Sequence, residues 1–383
     1  MTYPHLQILI WTLMLCAGRA MAQPHEHSLV ILVTEKGSGS GFVVEMDGKT
    51  YVATNLHILE GGLPKIHTMG GLELERGEVL RVAKERDLAL IEVNHADVHP
   101  LPLAAASPRI DETIVLYGNS DGGGVVTRIG GKILGVGPAL IEVDAAFVQG
   151  NSGSPILNAA GEVLGVASFA VLNNENRNWI KTGTRYNHVR RFGYRMHNSE
   201  WTEMTWNDFG RRLRMLEDFE LFVLDMFKLL YTPEFRNPEG LFAYQADAQR
   251  ENYRFYRHFP DWIQAYSRAL NLKVREHGQR RLDLNQVRVR EQKRTREIAN
   301  LLSIQAGRPV HVHGLEVFSQ RNRPLSTLLM DQEYLDALPE TRQLKQRAHQ
   351  NMVHDQWGNE ILRQRALMLY NTFDRILQGT LLE

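Results

Sequence analysis

The chain has 383 residues, 43% hydrophobic and 23% charged, which excludes a disordered tail or a membrane bundle and allows two ordinary cores. Lys and Arg number 44, as do Asp and Glu, so the formal net charge is zero. Residues 1–189 hold 14 basic against 19 acidic side chains and residues 190–383 hold 30 against 25, an offset too small for a dedicated nucleic-acid surface.

The first element is a leader. Residues 6–17 form an apolar run too short to span a bilayer as a helix, and Ala20-Met21-Ala22 follows with a small-x-small pattern. Residues 1–22 are therefore expected to be a secretory signal cleaved before Gln23, giving a periplasmic or secreted protein. Met1 to His5 contains no Lys or Arg, which leaves an uncleaved anchor as the alternative. The single cysteine, Cys16, lies inside the leader, so the mature chain would carry no disulfide. An exported chain without disulfides fits a bacterial cell envelope.

From residue 27 to about 188 the pattern is one of short β-rich runs separated by Gly, Asp and Asn. Strands are expected over 28–34, 41–46, 50–54, 89–93, 113–117, 125–134, 140–143 and 163–171, with a tight turn at Asp47-Gly48. After about Trp201 the period becomes helical. Apolar residues Phe209, Leu213, Leu216, Leu224, Phe227 and Leu230 predict a helix over 208–231, capped by Asn207 or Asp208. Further helices are expected over 244–270, 283–306 and 340–377. The domain reading is a signal at 1–22, a β-rich domain at 23–189 and an all-α domain at 190–383.

Three short blocks in the β-rich part carry chemistry. Thr54-Asn55-Leu56-His57 closes an apolar run, Arg86-Asp87-Leu88-Ala89-Leu90 opens another, and Gly150-Asn151-Ser152-Gly153-Ser154-Pro155 follows. Each alone reads as a turn or a strand end. Together they supply a base, an acid and a nucleophile in the order His, Asp, Ser. Gly150 can adopt a backbone conformation closed to other residues, so that its N–H and that of Ser152 can point into one pocket.

These blocks, with Gly37-Ser38-Gly39-Ser40-Gly41 upstream and Gly161-Glu162-Val163-Leu164-Gly165-Val166 downstream, resemble the trypsin-like serine peptidases, particularly the bacterial HtrA-type branch. The resemblance covers roughly residues 28–190. It implies an all-β double β-barrel catalytic domain, with His57 as general base, Asp87 as its orienting acid and Ser152 as nucleophile. It also implies that the Gly150 and Ser152 amides form an oxyanion hole. Ser168, Phe169 and Ala170 would pair with the substrate backbone, and Ala146 to Gln149 would wall the pocket for the residue before the cleaved bond. Ala146 stands where an acidic pocket base would select Lys or Arg, so a small or medium apolar side chain is expected instead. Asn151 stands where many animal relatives carry the aspartate that binds a freshly cut N-terminus. No activating cleavage beyond signal removal is therefore expected.

The expected activity is serine-type endopeptidase action on protein or peptide substrates, with no metal, cofactor or nucleic acid. A catalytically idle or gated binding module, acting through its helical part, is the alternative, and homo-oligomerisation through the helices is a further role. His25 and His27 read as a solvated terminus, His311 and His313 as a surface loop, and the basic run 288–296 as a solvated helix face.

Overall fold

The computed structural model describes residues 26–171, 184, 189–231 and 339–378. The leader, the helices expected over 244–270 and 283–306, His25, His311, His313 and the run 288–296 lie outside the described residues. The chain divides into two compact units, Met1–Gly210 with Gly358–Ile361, and Arg211–Trp357 with Leu362–Glu383.

The first unit holds two sheets. Strands β1 (Leu29–Thr34), β2 (Gly37–Met46), β3 (Lys49–Thr54), β4 (Lys65–Thr68), β5 (Glu73–Leu74), β6 (Arg76–Ala83), β7 (Ala89–Val93) and β14 (Trp201–Thr205) form an eight-stranded sheet in the order β14-β6-β7-β3-β2-β1-β4-β5. Strands β8 (Thr113–Gly118), β9 (Thr127–Val136), β10 (Leu140–Val143), β11 (Pro155–Leu157), β12 (Val163–Val171) and β13 (Arg190–Tyr194) close into a barrel ordered β10-β13-β12-β11-β8-β9. The resemblance implied two barrels, but among the described residues only this second sheet closes. The first ends on the two-residue β5 and on β14, which offer no continuous ladder to join.

The Asp-Gly turn between β2 and β3 forms as expected, with φ of 53° at Asp47 and 73° at Gly48. Leu29, Phe42, Tyr51 and Leu90 of the first sheet share one buried cluster with Val115, Leu157 and Val166 of the barrel. Ile114, Leu116, Ile133, Ile141 and Ile156 fill the barrel itself. Strands packed on both faces lose the apolar-polar alternation, which is why β7 reads Ala-Leu-Ile-Glu-Val.

The expected division at residue 189 falls between strands. Both β13 and β14 lie beyond it, and the first unit reaches Gly210. Charge hid β13, since it opens on Arg190-Arg191. Arg190 forms a bidentate pair with Glu142 of β10 at 2.8 Å on each arm, and Glu142 is only 8% exposed. A paired guanidinium lets that strand sit inside the barrel wall.

Helix α1 (Leu56–Leu59) is a single turn after β3. Helix α2 (Trp206–Tyr231) is capped by Thr205 rather than by Asn207 or Asp208. The Asp208 N–H donates to Thr205 Oγ1 at 3.1 Å, and that hydroxyl lies 2.9 Å from the Asp208 carboxylate. The continuous helix expected over 340–377 is broken into α3 (Pro339–Met352) and α4 (Glu360–Gln378). Gly358 at φ 71° separates them, and the buried Trp357 donates to Met352 O at 3.2 Å. In the second unit Leu216, Phe219, Ala348, Leu369 and Phe373 are buried, with the rings of Phe219 and Phe373 packed edge-on at 5.5 Å.

Candidate active site

His57 lies on α1 immediately after the buried end of β3, where the strand fixes its direction. Asp87 lies in the turn between β6 and β7. The two strands that deliver them, β3 and β7, are neighbours, with Thr54 opposite Ala89. That pairing brings the residues together by construction. Asp87 Oδ1 accepts the His57 backbone N–H at 2.9 Å, and Oδ2 lies 2.6 Å from His57 Nδ1. Asn55 Nδ2 steadies the turn by donating to Asp87 O at 2.8 Å.

Ser168, on β12, joins this pair to Ser152. Its hydroxyl donates to Asp87 Oδ2 at 2.7 Å, and its carbonyl accepts from Ser152 Oγ at 3.1 Å. All three sequence-expected residues therefore converge on one hydrogen-bond chain. The sequence points to Ser168 only as a residue pairing with the substrate backbone, and its hydroxyl on the Asp87 carboxylate is a role the sequence does not show. The register of β12 against β13 shifts between Ala167 and Phe169, so that Ser168 is the irregular residue. That shift lets its hydroxyl and its carbonyl serve two different neighbours.

The loop before Ser152 is shaped by close backbone approach. Gly150 has φ 87°, and a Cβ there would stand 2.1 Å from Asn119 O. Gln149 O accepts the Asp121 N–H at 2.7 Å, and Gly150 O accepts Ser40 Oγ at 2.8 Å. Since the peptide is trans, the Gly150 N–H points away from the side on which Gln149 O is bound. Among the described residues no acceptor takes the N–H of Gly150 or of Ser152. The buried Asn119 closes its own loop, with Oδ1 accepting Gly124 N at 2.7 Å and its N–H donating to Ser40 Oγ at 2.8 Å. Neither Ser40 nor Asn119 announces itself in the sequence beyond its Gly-rich context.

Electrostatics favour a protonatable His57. Burial pushes the imidazole down, but the charge and hydrogen bond of Asp87, with Glu60 adding, more than offset it, and the net displacement is upward from 6.5. The His57 side chain stays 45% exposed while Asp87 is 14% exposed, so the base is reachable and its partner is covered.

The remaining expected residues flank the same chain. Ala146 and Gln149 are exposed, whereas Phe147 between them is buried and its carbonyl accepts Arg191 Nε at 2.7 Å. Phe169 stacks on Phe192 with centroids 5.2 Å apart. From Phe169 to Val171, β12 pairs with β13 on one edge, and among the described residues no strand covers the other. Among the described residues no group of three His, Cys, Asp or Glu is placed to hold a metal.

Residues 39–166 match the trypsin-like peptidase domain model. The chain is 36% identical over 146 residues to a Synechocystis protein named as a serine protease, HhoB, covering 34% of each. It is 34% identical to a Brucella suis protein named as a DegP-like periplasmic serine endoprotease, covering 33% of this chain and 26% of that one. It is 30% identical to the serine protease Do-like HtrA of Bacillus subtilis, covering 36% and 34%. This chain thus spans about a third or less of the length of these relatives. The matched segment holds His57, Asp87 and Ser152 together, and within it the chain carries a trypsin-like peptidase domain akin to those of the HtrA and DegP type.

Proposed function

We propose that the protein is a serine endopeptidase whose reaction runs through His57, Asp87 and Ser152. Ser152 Oγ attacks the scissile carbonyl carbon as its proton passes to His57 Nε2. Asp87 holds the Nδ1 hydrogen and stabilises the imidazolium. The oxyanion is received by the N–H groups of Gly150 and Ser152. Collapse of the adduct breaks the C–N bond, and the amine leaves with the proton from His57. Water, deprotonated by the same histidine, then releases the acyl group and restores Ser152. The carrying observation is the single chain from His57 through Asp87 and Ser168 to Ser152, ending beside two amides without a described acceptor.

The open edge of β12 from Phe169 onward is suited to pairing with an extended peptide, a mode that reads backbone rather than sequence. Ala146 at the pocket base favours small or medium apolar side chains over Lys and Arg. Site of action is the cell envelope, on the strength of the leader pattern and of a relative named as periplasmic. The part of the chain that carries α2, α3 and α4 has self-association as one role.

A gated enzyme is the second reading, favoured by one observation. The Ser152 hydroxyl is spent on Ser168 O, and no hydrogen bond to His57 is formed among the described residues. A substrate amide competing for that carbonyl would free the hydroxyl to turn to the base. A fluorophosphonate probe tests both readings at once. Modification mapped to Ser152 is the expected result. A folded protein labelled only when a peptide substrate is added supports the gated reading, and one that stays inert with the peptide as well leaves only the binding-module reading.

A further inference from the structure

The turn that delivers Asp87 depends on chain from the far end of the sequence. Between β6 and β7, Ala83 N donates to Leu88 O at 3.0 Å, and the carbonyls of Ala83, Lys84, Arg86 and Asp87 take donors from elsewhere. Asn55 serves Asp87. Asn359 Nδ2 donates to Ala83 O at 2.6 Å and to Arg86 O at 3.0 Å. The Glu360 N–H donates to Lys84 O at 2.6 Å. Two consecutive residues thus hold three of the four carbonyls. The Arg86 side chain adds a second tether, from its guanidinium to Arg195 O, His197 O and Ser199 Oγ.

Asn359 is 3% exposed, so this is no incidental surface contact. A buried primary amide is costly unless its hydrogens are used, and here both go to the Asp87 turn. Asn359 also stands directly before Glu360, the first residue of α4. At that position an Asn caps with its oxygen, which leaves the NH₂ group available to bind elsewhere. The segment Gly358–Ile361 belongs to the compact unit of the two sheets, although the chain on either side of it belongs to the other.

We propose that Asn359, 273 residues along the chain from Arg86, is a positioning residue that sets the angle at which Asp87 meets His57. This rests on the reading of Asp87 as the orienting acid. Asp87 must satisfy the His57 backbone, the His57 ring and the Ser168 hydroxyl at once, at 2.9, 2.6 and 2.7 Å. A carboxylate serving three donors tolerates little rotation of the turn beneath it. The trypsin-like match ends at residue 166, so a part that this acid needs lies far outside the matched segment.

The test is an NMR titration of the His57 imidazole in the full chain, paired with the rate of fluorophosphonate labelling. Glu60 also faces His57, while Arg86 and Tyr194 lie near Asp87, and none of the three is substituted in any variant. Asn359→Ala is expected to lower the His57 pKa by about half a unit or more, because a loosened carboxylate holds the imidazolium less well. The acid limb of labelling should move down with it. Glu360→Pro removes the N–H to Lys84 at a position where a helix accepts proline, and should give a smaller shift in the same direction. Glu360→Ala keeps that N–H and should give none. Ile133→Ala, buried inside the closed barrel, destabilises the fold without touching the turn, and should leave the His57 pKa where it was.

A folded Asn359→Ala protein with the wild-type His57 pKa overturns the inference. If that variant does not fold, an unmoved pKa in Glu360→Pro overturns it instead. Wild-type protein that resists the probe, with a His57 pKa that still falls in Asn359→Ala, sinks the serine-nucleophile reading and keeps the positioning role. Labelling of the wild type with an unmoved pKa does the reverse.

Discussion

The two sheets of the first unit prepare their contributions by different means. The eight-stranded sheet supplies His57 and Asp87 from the buried ends of adjacent strands, so apolar packing and register set the distance between them. The closed barrel supplies Gly150, Ser152 and Ser168, and there the fixing is polar: Ser40, Asn119, Asp121 and Asn151 hold a glycine turn by hydrogen bonds. A base and its acid need a set distance, which strand register provides, and a set angle, which the tethers on the Asp87 turn provide. An oxyanion hole needs amides aimed at a point, and amides are aimed by turns.

The largest effect should come from Ser152→Ala, with peptide-bond hydrolysis falling about 10⁶-fold while circular dichroism stays that of the wild type. Casein hydrolysis surviving in the purified variant would remove the nucleophile from the barrel half altogether. Asp87→Asn comes next, at about 10⁴-fold, since an amide can favour the wrong tautomer and leaves the imidazolium unsupported. Comparable damage from Asp97→Asn instead would put the acid elsewhere. The pH profile sharpens this. Folded His57 binds its proton more tightly than the ordinary value of 6.5, so its stabilising contribution is present in full below 6.5 and lost as pH rises through the folded value. Activity needs the neutral base and runs the other way, rising with pH through that same raised value. In Asp87→Asn the residual acid limb should move to lower pH.

Gly150→Ala tests the polar half alone. The new Cβ would stand 2.1 Å from Asn119 O and 2.6 Å from Gly122 N, in a backbone conformation of φ 87° that alanine resists. The turn must shift, and the loss of one aimed amide should cost about 10²–10³-fold in kcat. The His57 pKa, read by NMR, should stay at the wild-type value. If it moves as well, the two halves are not independently built.

The sequence is legible where packing decides. The strands 29–34, 89–93, 140–143 and 163–171 carry apolar residues whose burial is dictated by composition, and the Asp47-Gly48 turn has no other good use. That His57, Asp87 and Ser152 belong together is legible because three blocks, each ordinary alone, occur in order within one β-rich segment. What stays hidden depends on partners distant in sequence. Arg190-Arg191 reads as surface until Glu142 pairs with the first and Phe147 O accepts from the second. Ser168 reads as a substrate-pairing residue of an apolar strand, and the bond of its hydroxyl to Asp87 depends on a register shift that no local pattern shows. Nothing in a helical texture distinguishes Asn359 from any other cap.

The smallest effect is expected at the N-terminus, and it too divides the halves. In relatives that are activated by cleavage, a new ammonium pairs with an aspartate just before the nucleophile and so orders the oxyanion hole. Here that residue is Asn151, fully buried, with Oδ1 accepting the Val148 N–H at 2.9 Å and Nδ2 donating to Ser120 Oγ at 3.0 Å. The amide already does the ordering. It carries no charge to offset the desolvation of an incoming ammonium, which would cost several kcal/mol. Protein beginning at Gln23 and versions extended by a few residues should therefore hydrolyse casein at equal rates. Strong loss on extension would mean that the terminus inserts after all, and that the polar turn is not self-sufficient. Asn151→Ala should be the more damaging change, because it strips the Val148 and Ser120 contacts at once and takes from the turn its buried amide, leaving Ser120 Oγ only Thr127 Oγ1.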